Sequence, residues 1–249
     1  MPTTHLDILA IAAHRDDVEQ TCGGTMLKMA ERGYRTGILD LTRGEMGTRG
    51  TAEDRERESA EAAKILRVSW RDALDIPDGR VENTWHNRLK IAGVIRDHRP
   101  RVVILPYWKG RHPDHYTASV LGYEACFAAG LTKLDVGQAF SSQHSSASEA
   151  HRPFKIIYAS LYYDVRPTFV VDITEQFESR FQSLMAYKSQ YADQDAGKDI
   201  FPAQAEIRAR IESMARFYGA LAGVTYAEPF VQKEVGLVED VMAVPVKSI

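Results

Sequence analysis

The sequence predicts an α/β fold, a three-layer α/β/α sandwich around a Rossmann-like, mostly parallel sheet. Short apolar runs alternate with longer stretches of helical character along the first half of the chain. The first run, Leu6–Ala13, is apolar almost throughout, as expected for a strand that is covered on both faces. Repeated strand–helix–strand units of this kind form parallel sheets with right-handed crossovers.

The elements of the first half follow in a regular order. The predicted strands are Leu6–Ala13, Tyr34–Leu41, Ser69–Leu74 and Arg101–Leu105. The predicted helices are Glu19–Arg32, Glu53–Leu66, Asn83–His98 and Tyr116–Ala129. Gly33 closes the first helix, and Pro100 stops the third because proline cannot continue a helix.

The second half is less regular, but it offers no linker that would divide the chain. Gln138–Pro153 is polar and rich in serine, which indicates a surface loop over one face. Strands are predicted at Phe154–Tyr162 and Thr168–Ile173, and the last helix at Ala203–Leu221. Thr174 is the expected cap of a helix that runs to about Tyr191. We therefore expect one domain over residues 1–249.

Composition narrows the class of protein. The 249 residues carry a formal net charge of −3, which gives no reason to expect nucleic acid or an anionic membrane as a partner. Two cysteines, Cys22 and Cys126, argue against a disulfide framework and for a reducing compartment. The N-terminus has no signal-peptide pattern, and no apolar run is long enough to span a bilayer. The sequence thus predicts a cytoplasmic protein.

Two short clusters about a hundred residues apart carry the chemistry. Ala13-His14-Arg15-Asp16-Asp17 follows the first predicted strand, and His112-Pro113-Asp114-His115 follows the strand at Arg101–Leu105. In an open α/β sheet, the carboxyl ends of the strands form the edge where ligands bind. The two clusters are therefore expected to meet in one crevice.

His14, Asp17 and His115 together would offer two imidazole nitrogens and one carboxylate to a metal. Three protein ligands with one open position are typical of catalytic zinc, whereas structural zinc sites are closed by four ligands. Fe²⁺, Co²⁺ and Mn²⁺ suit the same ligands, so ligand type does not separate them from Zn²⁺.

The remaining polar residues of the clusters have separate expected roles. Asp16, beside a ligand, would be free to take a proton from water that the metal activates. His112 lies three residues before His115 and could donate to a developing oxyanion or protonate a leaving amine. Asp114 could orient one of the histidines as a hydrogen-bonding partner behind the ligands.

These residues resemble the PIG-L/LmbE-like family of zinc-dependent N-deacetylases, whose motifs are usually Ala-His-Pro-Asp-Asp and His-Pro-Asp-His. The resemblance covers about residues 6–231 and is closest to the bacillithiol-pathway branch. The matching segments are Cys22-Gly23-Gly24-Thr25, Thr42-Arg43-Gly44-Glu45, Arg43–Thr51, Arg55–Ala63, Pro77-Asp78-Gly79, Ser189-Gln190 and Tyr226-Ala227-Glu228-Pro229-Phe230.

The resemblance implies an LmbE-like fold and the same roles for the two clusters. His14, Asp17 and His115 match the metal ligands of the family, Asp16 its general base, and His112 its oxyanion or leaving-group partner. The implied substrates are N-acetylglucosamine groups on a larger aglycone. In the bacillithiol branch the substrate is N-acetylglucosaminyl malate, and the products are glucosaminyl malate and acetate. The resemblance also implies a homo-oligomer such as a hexamer.

Three arginines are candidate substrate-binding residues. Arg55 matches an arginine near the site in the bacillithiol branch, where it would hold a sugar hydroxyl or a malate carboxylate, and Arg49 could share that work. Arg15 stands where the wider family usually has proline. Its cation would oppose the metal slightly or face the substrate carboxylates, and we hypothesise that it favours an anionic substrate.

Other functions remain open at this stage. The same chemistry could act on a thiol-conjugate amide or on a chitooligosaccharide. A non-catalytic Rossmann-like binding protein would leave Asp16 and His112 without a role. A nucleotide-dependent oxidoreductase is disfavoured, because the Gly-x-Gly-x-x-Gly fingerprint is absent from the sequence. Gly23 and Gly24 are instead expected to permit close packing of a helix on a strand.

Overall fold

The computed structural model describes residues 5–137, 149–160, 164–192 and 202–244. Its strands are β1 (Ile8–Ala12), β2 (Thr36–Asp40), β3 (Trp70–Ala73), β4 (Val102–Pro106), β5 (Lys155–Ala159), β6 (Phe169–Asp172) and β7 (Ala227–Gln232). Its helices are α1 (Asp17–Thr21), α2 (Gly23–Glu31), α3 (Ala52–Ile65), α4 (Trp85–His98), α5 (Pro113–Ala129), α6 (Phe177–Met185), α7 (Lys188–Tyr191) and α8 (Gln204–Ala220). A short 3₁₀ turn follows at Val241–Ala243.

The predicted α/β fold is confirmed. Within the described ranges, seven strands form one sheet in the order β3-β2-β1-β4-β5-β7-β6. The five strands from β3 to β5 are parallel, and β7 pairs antiparallel with both β5 and β6. The chain runs outward from β1 through β2 to β3, then returns to place β4 on the other side of β1. The strand order therefore reverses between β1 and β4, which is where open α/β sheets bind ligands.

The core has two sides because alternate residues of β1 face opposite layers. Leu9 and Ile11 pack into a cluster with apolar side chains of α4 and α5. Ala10 and Ala12 pack with Val18 and Met26, which come from α1 and α2. Helices thus cover both faces, and this explains why β1 is buried over its whole length.

Two predicted helices are interrupted in the structure. The helix expected at Glu19–Arg32 is interrupted at Cys22, whose φ of −145° and ψ of 18° are not helical. The helix expected from Thr174 to Tyr191 begins after Gln176 and is interrupted at Tyr187. Thr174 does not cap it, because its hydroxyl donates to Asp172 Oδ1 at 2.6 Å.

The break at Cys22 lets the following helix approach the sheet closely. A Cβ on Gly24 would lie only 2.9 Å from Ile173 Cδ1 and 3.0 Å from Glu228 Oε1. The glycine therefore serves packing, as expected, and not the binding of a dinucleotide. The Glu228 carboxylate accepts hydrogen bonds from the Gly24 and Thr25 amides at 2.9 and 2.7 Å, and these bonds connect β7 to α2.

Much of the serine-rich segment Gln138–Pro153 lies outside the described residues. His151, which is described, donates from Nε2 to the Pro100 carbonyl at 2.8 Å, and it is half-buried. No helix in the described ranges is both long and apolar enough to cross a membrane.

Candidate metal centre and active site

The two polar clusters of the sequence meet at the carboxyl edge of β1 and β4. His14 follows β1 within two residues, and Asp17 opens α1. His112 precedes the first residue of α5, which is Pro113, and His115 lies in the first turn of that helix. Because α5 begins three residues earlier than expected, His115 is held by helix geometry. The side chains line a cleft at the point where the strand order reverses.

His14, Asp17 and His115 face one another at close range. His14 Nδ1 lies 3.1 Å from His115 Nε2 and 3.5 Å from Asp17 Oδ2. Asp17 Oδ1 lies 3.2 Å from His115 Nε2. The His14 amide also donates to Asp17 Oδ2 at 2.9 Å, which fixes the carboxylate relative to the loop.

These separations fit a tetrahedral divalent cation. Ligand atoms about 2.0–2.1 Å from a tetrahedral zinc ion lie about 3.3–3.4 Å apart, close to the three observed distances. Two imidazole nitrogens and a carboxylate oxygen are also the donors that zinc prefers. The residues could therefore hold a metal ion. His14, His112 and Asp114 form a second possible set, which shares His14 with the first.

Carboxylates surround His14 and favour positive charge there. Burial lowers the pKa of His14, but hydrogen bonds and charges from Asp114, Asp17 and Asp78 outweigh it and raise the pKa to about 12. Burial raises the pKa of Asp17, whereas His115 and His14 act more strongly and hold it well below its usual range. Without a metal, the His14 ring carries its positive charge as a bound proton, and a metal ion would replace that proton.

Asp114 and Asp78 lie behind His14. His14 Nε2 is 3.3 Å from Asp114 Oδ2 and 3.1 Å from Asp78 Oδ1. Asp114 also accepts from the amides of Gly79 and Val81 at 2.8 and 3.1 Å, so the loop after β3 is fixed to the start of α5. With Nε2 facing these carboxylates, Nδ1 is left for a metal. The expected orienting role of Asp114 therefore has a geometric basis, and Asp78 shares it.

Asp16 lies in the same cleft but belongs to neither possible ligand set. Its Oδ2 accepts a hydrogen bond from the hydroxyl of Tyr191 and another from Gln20 Nε2 at 3.3 Å. Both hydrogen bonds involve Oδ2, and within the described residues Oδ1 accepts no hydrogen bond. This carboxylate is therefore placed to accept a proton within the cleft.

His112 caps α5 through its ring. Its Nδ1 accepts from the Asp114 amide at 3.2 Å, which assigns the proton of the neutral imidazole to Nε2. Burial, together with the charges on His14 and His115, lowers the pKa of His112. The ring is thus neutral near pH 7 and offers an N–H donor to the cleft, as a group that stabilises an oxyanion must.

Comparison with known proteins identifies the family. A family model described as PIG-L, GlcNAc-PI de-N-acetylase, matches residues 9–126. Diacetylchitobiose deacetylase of Thermococcus kodakarensis is 31% identical over 232 residues, which cover 89% of this chain and 80% of the relative. The chain belongs to the PIG-L family.

Two further proteins are similar to this chain over most of its length. A conserved protein of Thermus thermophilus, TT1542, is 38% identical in sequence, and its crystal structure matches with a TM-score of 0.80 over 94% of this chain and 98% of that one. 4-Oxalmesaconate hydratase of Pseudomonas putida is 25% identical over 203 residues, 76% of each chain. Relatives with this fold therefore carry the names of a deacetylase and of a hydratase.

In this PIG-L protein, Arg55 is the one predicted substrate-binding arginine that lines the cleft. Its Nη2 donates to Gln190 Oε1 at 2.6 Å, while its buried Nε has no partner among the described residues. The glycine-rich loop covers this side chain, since a Cβ on Gly44 or Gly47 would lie 2.6 or 2.7 Å from it. The glycines thus permit the loop to fold over a buried guanidinium.

The structure places Arg49 and Arg15 away from the cleft. Arg49 Nη1 donates to the Gln190 carbonyl at 3.1 Å, which connects the loop to α7. Arg15 is buried, and its Nη1 donates to Ser59 Oγ of α3 at 3.3 Å. The hypothesis that Arg15 faces substrate carboxylates therefore lacks geometric support, because the guanidinium points to the opposite side of the loop from His14.

The cleft residues that were missed in the sequence include Asp78 and Tyr191. Asp78 follows β3 in a Pro-Asp-Gly turn, and its place after a parallel strand was a signal that could have indicated the site. Tyr191 offered no such signal, because it lies 175 residues from Asp16 and its role depends on the break between α6 and α7.

Proposed function

We propose that this protein is a metal-dependent N-deacetylase that hydrolyses the acetamide of an N-acetylglucosamine-containing small molecule. The observation that carries the proposal is the His14–Asp17–His115 set, with Asp16 and His112 beside it in one cleft. A metal site alone would explain only three of these five residues. Membership of the PIG-L family and the relative named as a deacetylase support the same reaction.

His14, Asp17 and His115 would hold the metal, and Zn²⁺ suits this donor set as Fe²⁺, Co²⁺ and Mn²⁺ also do. A bound divalent ion supplies Lewis acidity, which polarises the amide carbonyl and lowers the pKa of water. The carboxylates of Asp78 and Asp114 hold His14 from behind, and this arrangement increases the basicity of the ligand.

Asp16 is proposed as the general base. Its carboxylate takes a proton from the water that attacks the acetamide carbon, while the Tyr191 hydroxyl and Gln20 amide hold one of its oxygens in place. The proton is then available for the amine, because C–N cleavage leaves a nitrogen that must be protonated. The products are acetate and the free amine.

His112 is proposed as the electrophilic partner. Its Nε2–H donates to the acetamide oxygen as negative charge develops there, and the hydrogen bond to the Asp114 amide holds the ring in that tautomer. A neutral ring is required for this donation without proton transfer, and its lowered pKa fits that requirement.

The cleft favours an anionic aglycone, and N-acetylglucosaminyl malate is the substrate we propose. Arg55, Arg111 and Arg210 all line the cleft, and Arg111 is exposed to it. Guanidinium groups pair with carboxylates in a bidentate manner, so malate offers a suitable partner. A chitooligosaccharide is the second candidate, favoured by the 31% identity to a diacetylchitobiose deacetylase.

The test is acetate release from both substrates by one preparation of the purified protein. It is measured as isolated, after chelation and after zinc is restored, with Asp16→Asn as the matched variant. Release that disappears with chelator, returns with zinc and is lost in Asp16→Asn would support the proposal. Stoichiometric metal without acetate release from either substrate would contradict the deacetylase, and hydration of an unsaturated dicarboxylate would then point to the chemistry of the hydratase relative.

Arg111→Gln separates the two substrates. We expect its KM for the malate glycoside to rise about tenfold, since a charge-assisted hydrogen bond contributes about 1.5–3 kcal/mol and exposure reduces that. KM for diacetylchitobiose should stay unchanged, because that substrate has no carboxylate. Arg57→Gln removes an exposed arginine of α3 outside the cleft and is the control. Equal effects on both substrates would exclude recognition of the malate by Arg111.

We also propose that the protein is a homo-oligomer. Tyr116, Val120, Tyr123 and Phe127 form an exposed apolar stripe along α5, at the spacing of one helix face. Such a stripe is typical of an interface between subunits. Light scattering on the wild type and on Phe127→Glu tests it, and a monomeric wild type would contradict it.

A further inference from the structure

A buried ionic cluster lies next to the His14–Asp17 segment, outside the cleft. We call it the Arg71 cluster, and it consists of Arg15, Glu19, Asp40, Arg71 and Tyr187. Arg71, Glu19 and Asp40 have side chains that are only 8, 0 and 1% exposed. Tyr187 is fully buried as well. None of the five lines the cleft.

Arg71 uses all five of its N–H groups, four of them on members of the cluster and one on the Ser59 carbonyl. Nε and Nη2 donate to the two oxygens of Asp40, at 2.9 and 3.2 Å. Nη1 donates to Glu19 Oε1 at 2.6 Å and to the Ser59 carbonyl at 3.4 Å. The remaining N–H of Nη2 donates to the Arg15 carbonyl at 2.5 Å. The two carboxylates thus fix the plane of the guanidinium, and that plane determines where the last donor points.

The Arg15 carbonyl is where the cluster meets the active site. It accepts a second hydrogen bond, from the hydroxyl of Tyr187, which also lies 3.3 Å from Glu19 Oε1. This carbonyl belongs to the peptide between Arg15 and Asp16. His14 precedes that peptide by one residue, and Asp17 follows Asp16. Two donors therefore hold a single peptide, which carries the proposed base Asp16 and is flanked by the two candidate ligands His14 and Asp17.

We propose that Arg71 and Tyr187 are positioning residues, which set the metal ligands and Asp16 by holding the Arg15 carbonyl. This inference rests on the proposed function for its catalytic part. Glu19 and Asp40 act through Arg71, which they orient. The cluster takes its parts from β2, β3, α1 and the α6–α7 break, so the loop after β1 is fixed to four elements at once.

The chemistry of the cluster favours positioning over stability alone. Replacing a buried ion pair by well-packed apolar side chains is often neutral or stabilising, so buried charge is weak evidence for stability. A directed hydrogen bond to one carbonyl is something an apolar side chain cannot provide. Arg15 also fits this account, because its own guanidinium stays on the cluster side and donates to Ser59. A rigid anchor of this kind provides the restraint that proline gives at the same position in the wider family.

Tyr187→Phe is the primary test, since it removes one hydroxyl and keeps the buried ring. Arg71→Lys keeps the positive charge but loses the planar guanidinium and its fixed set of N–H donors. Two measurements are made on each folded variant: zinc affinity by competition with a chelating dye, and kcat and KM for acetate release. Both variants should bind zinc about 10–100-fold more weakly, as is usual for partners behind metal ligands. At saturating zinc, kcat should fall about tenfold in Tyr187→Phe, with KM within twofold of wild type.

Matched controls separate positioning from stability. Tyr218 is also buried and donates to a carbonyl, that of Val165 at 3.4 Å. Arg96 is a buried arginine that donates to the carbonyls of Ala129, Leu131 and Leu134. Tyr218→Phe and Arg96→Lys should lower Tm while leaving zinc affinity and kcat at the wild-type level.

The proposal is overturned if Tyr187→Phe and Arg71→Lys lower Tm but keep zinc affinity and kcat within twofold of their controls. If the wild type releases no acetate from any substrate, the zinc affinities still decide the positioning claim. A failure of the proposed function is therefore distinguishable from a failure of this inference.

Discussion

Two buried clusters lie beside one short segment, and they differ in how their charge is balanced. The cleft cluster consists of His14, Asp17, Asp78, Asp114 and His115, and its positive charges are protons on imidazoles. The Arg71 cluster pairs two carboxylates with the guanidinium of Arg71, which does not lose its proton in proteins. A metal ion can replace a proton on an imidazole, so the cleft cluster suits a metal site. A guanidinium that stays charged suits a group that holds a loop in place. The predictions below test this difference.

The largest effect is expected in the cleft, at Asp16. Asp16→Asn should lower kcat by about 10²–10⁴-fold, the usual contribution of a general base, because the amide cannot accept the proton. Zinc content measured by atomic emission should stay at one per chain, since Asp16 belongs to neither possible ligand set. Activity within tenfold of wild type would show that another group takes the proton.

The next effect is one of stability, in the Arg71 cluster. Asp40→Ala should lower the free energy of unfolding by about 3–5 kcal/mol, because it breaks a buried ion pair and leaves Glu19 as the remaining carboxylate partner of Arg71. Urea denaturation measures the loss. Glu61→Ala removes one partner of the exposed pair with Lys64 and should cost less than about 1 kcal/mol. A loss for Asp40→Ala as small as that of the control would mean that the cluster is not charge-balanced as described.

Zinc should stabilise the folded protein, and the gain should depend on pH. At a free zinc concentration 100 times Kd, the metal adds about 2.7 kcal/mol, and Tm rises by several degrees. Because the pKa of His14 is raised to about 12, zinc must displace a proton at neutral pH. Affinity should therefore rise with pH, about tenfold per unit for each proton displaced. Calorimetry in buffers of different ionisation enthalpy measures this release, and zinc binding without it would contradict the charged state of His14.

The smallest effect concerns His151, a half-buried histidine with no carboxylate beside it among the described residues. Burial lowers the pKa of His151, although its contact with the Pro100 carbonyl acts in the opposite direction. The ring is then charged more readily in the unfolded chain, so stability is present above about pH 6.5 and is lost as the pH falls through that value. His151→Gln should lose less stability between pH 7 and 5 than the wild type. An identical pH profile by thermal denaturation would exclude this contribution.

Much of the fold could be predicted from the sequence because its parallel half follows local rules. β1 is an unbroken apolar run, and the two motifs follow strands that lie side by side in the sheet. β7 was missed because Pro229 argues against a central strand, yet β7 lies between β5 and β6. The proline is accommodated because the β5–β7 pairing ends at Phe230, so Pro229 pairs with β6 alone.

The site was predictable where motif and strand end coincide, as for His14, Asp17 and His115. The site was not predictable where contacts between distant parts of the chain decide which way a side chain points. Arg15 illustrates this, because its neighbours His14 and Asp16 line the cleft while its own side chain lies on the other side. Only the positions of Asp40, Arg71 and Tyr187 show why, and these come from three separate parts of the chain.

The most direct test of the account is the position of zinc in crystals of the zinc-loaded protein. The account predicts one strong peak in the anomalous difference map, about 2.0–2.2 Å from nitrogen atoms of His14 and His115 and an oxygen of Asp17. A peak bound by His14, His112 and Asp114, the second possible set, would remove His112 from its proposed role and contradict the mechanism. No peak at either set would contradict the metal site itself.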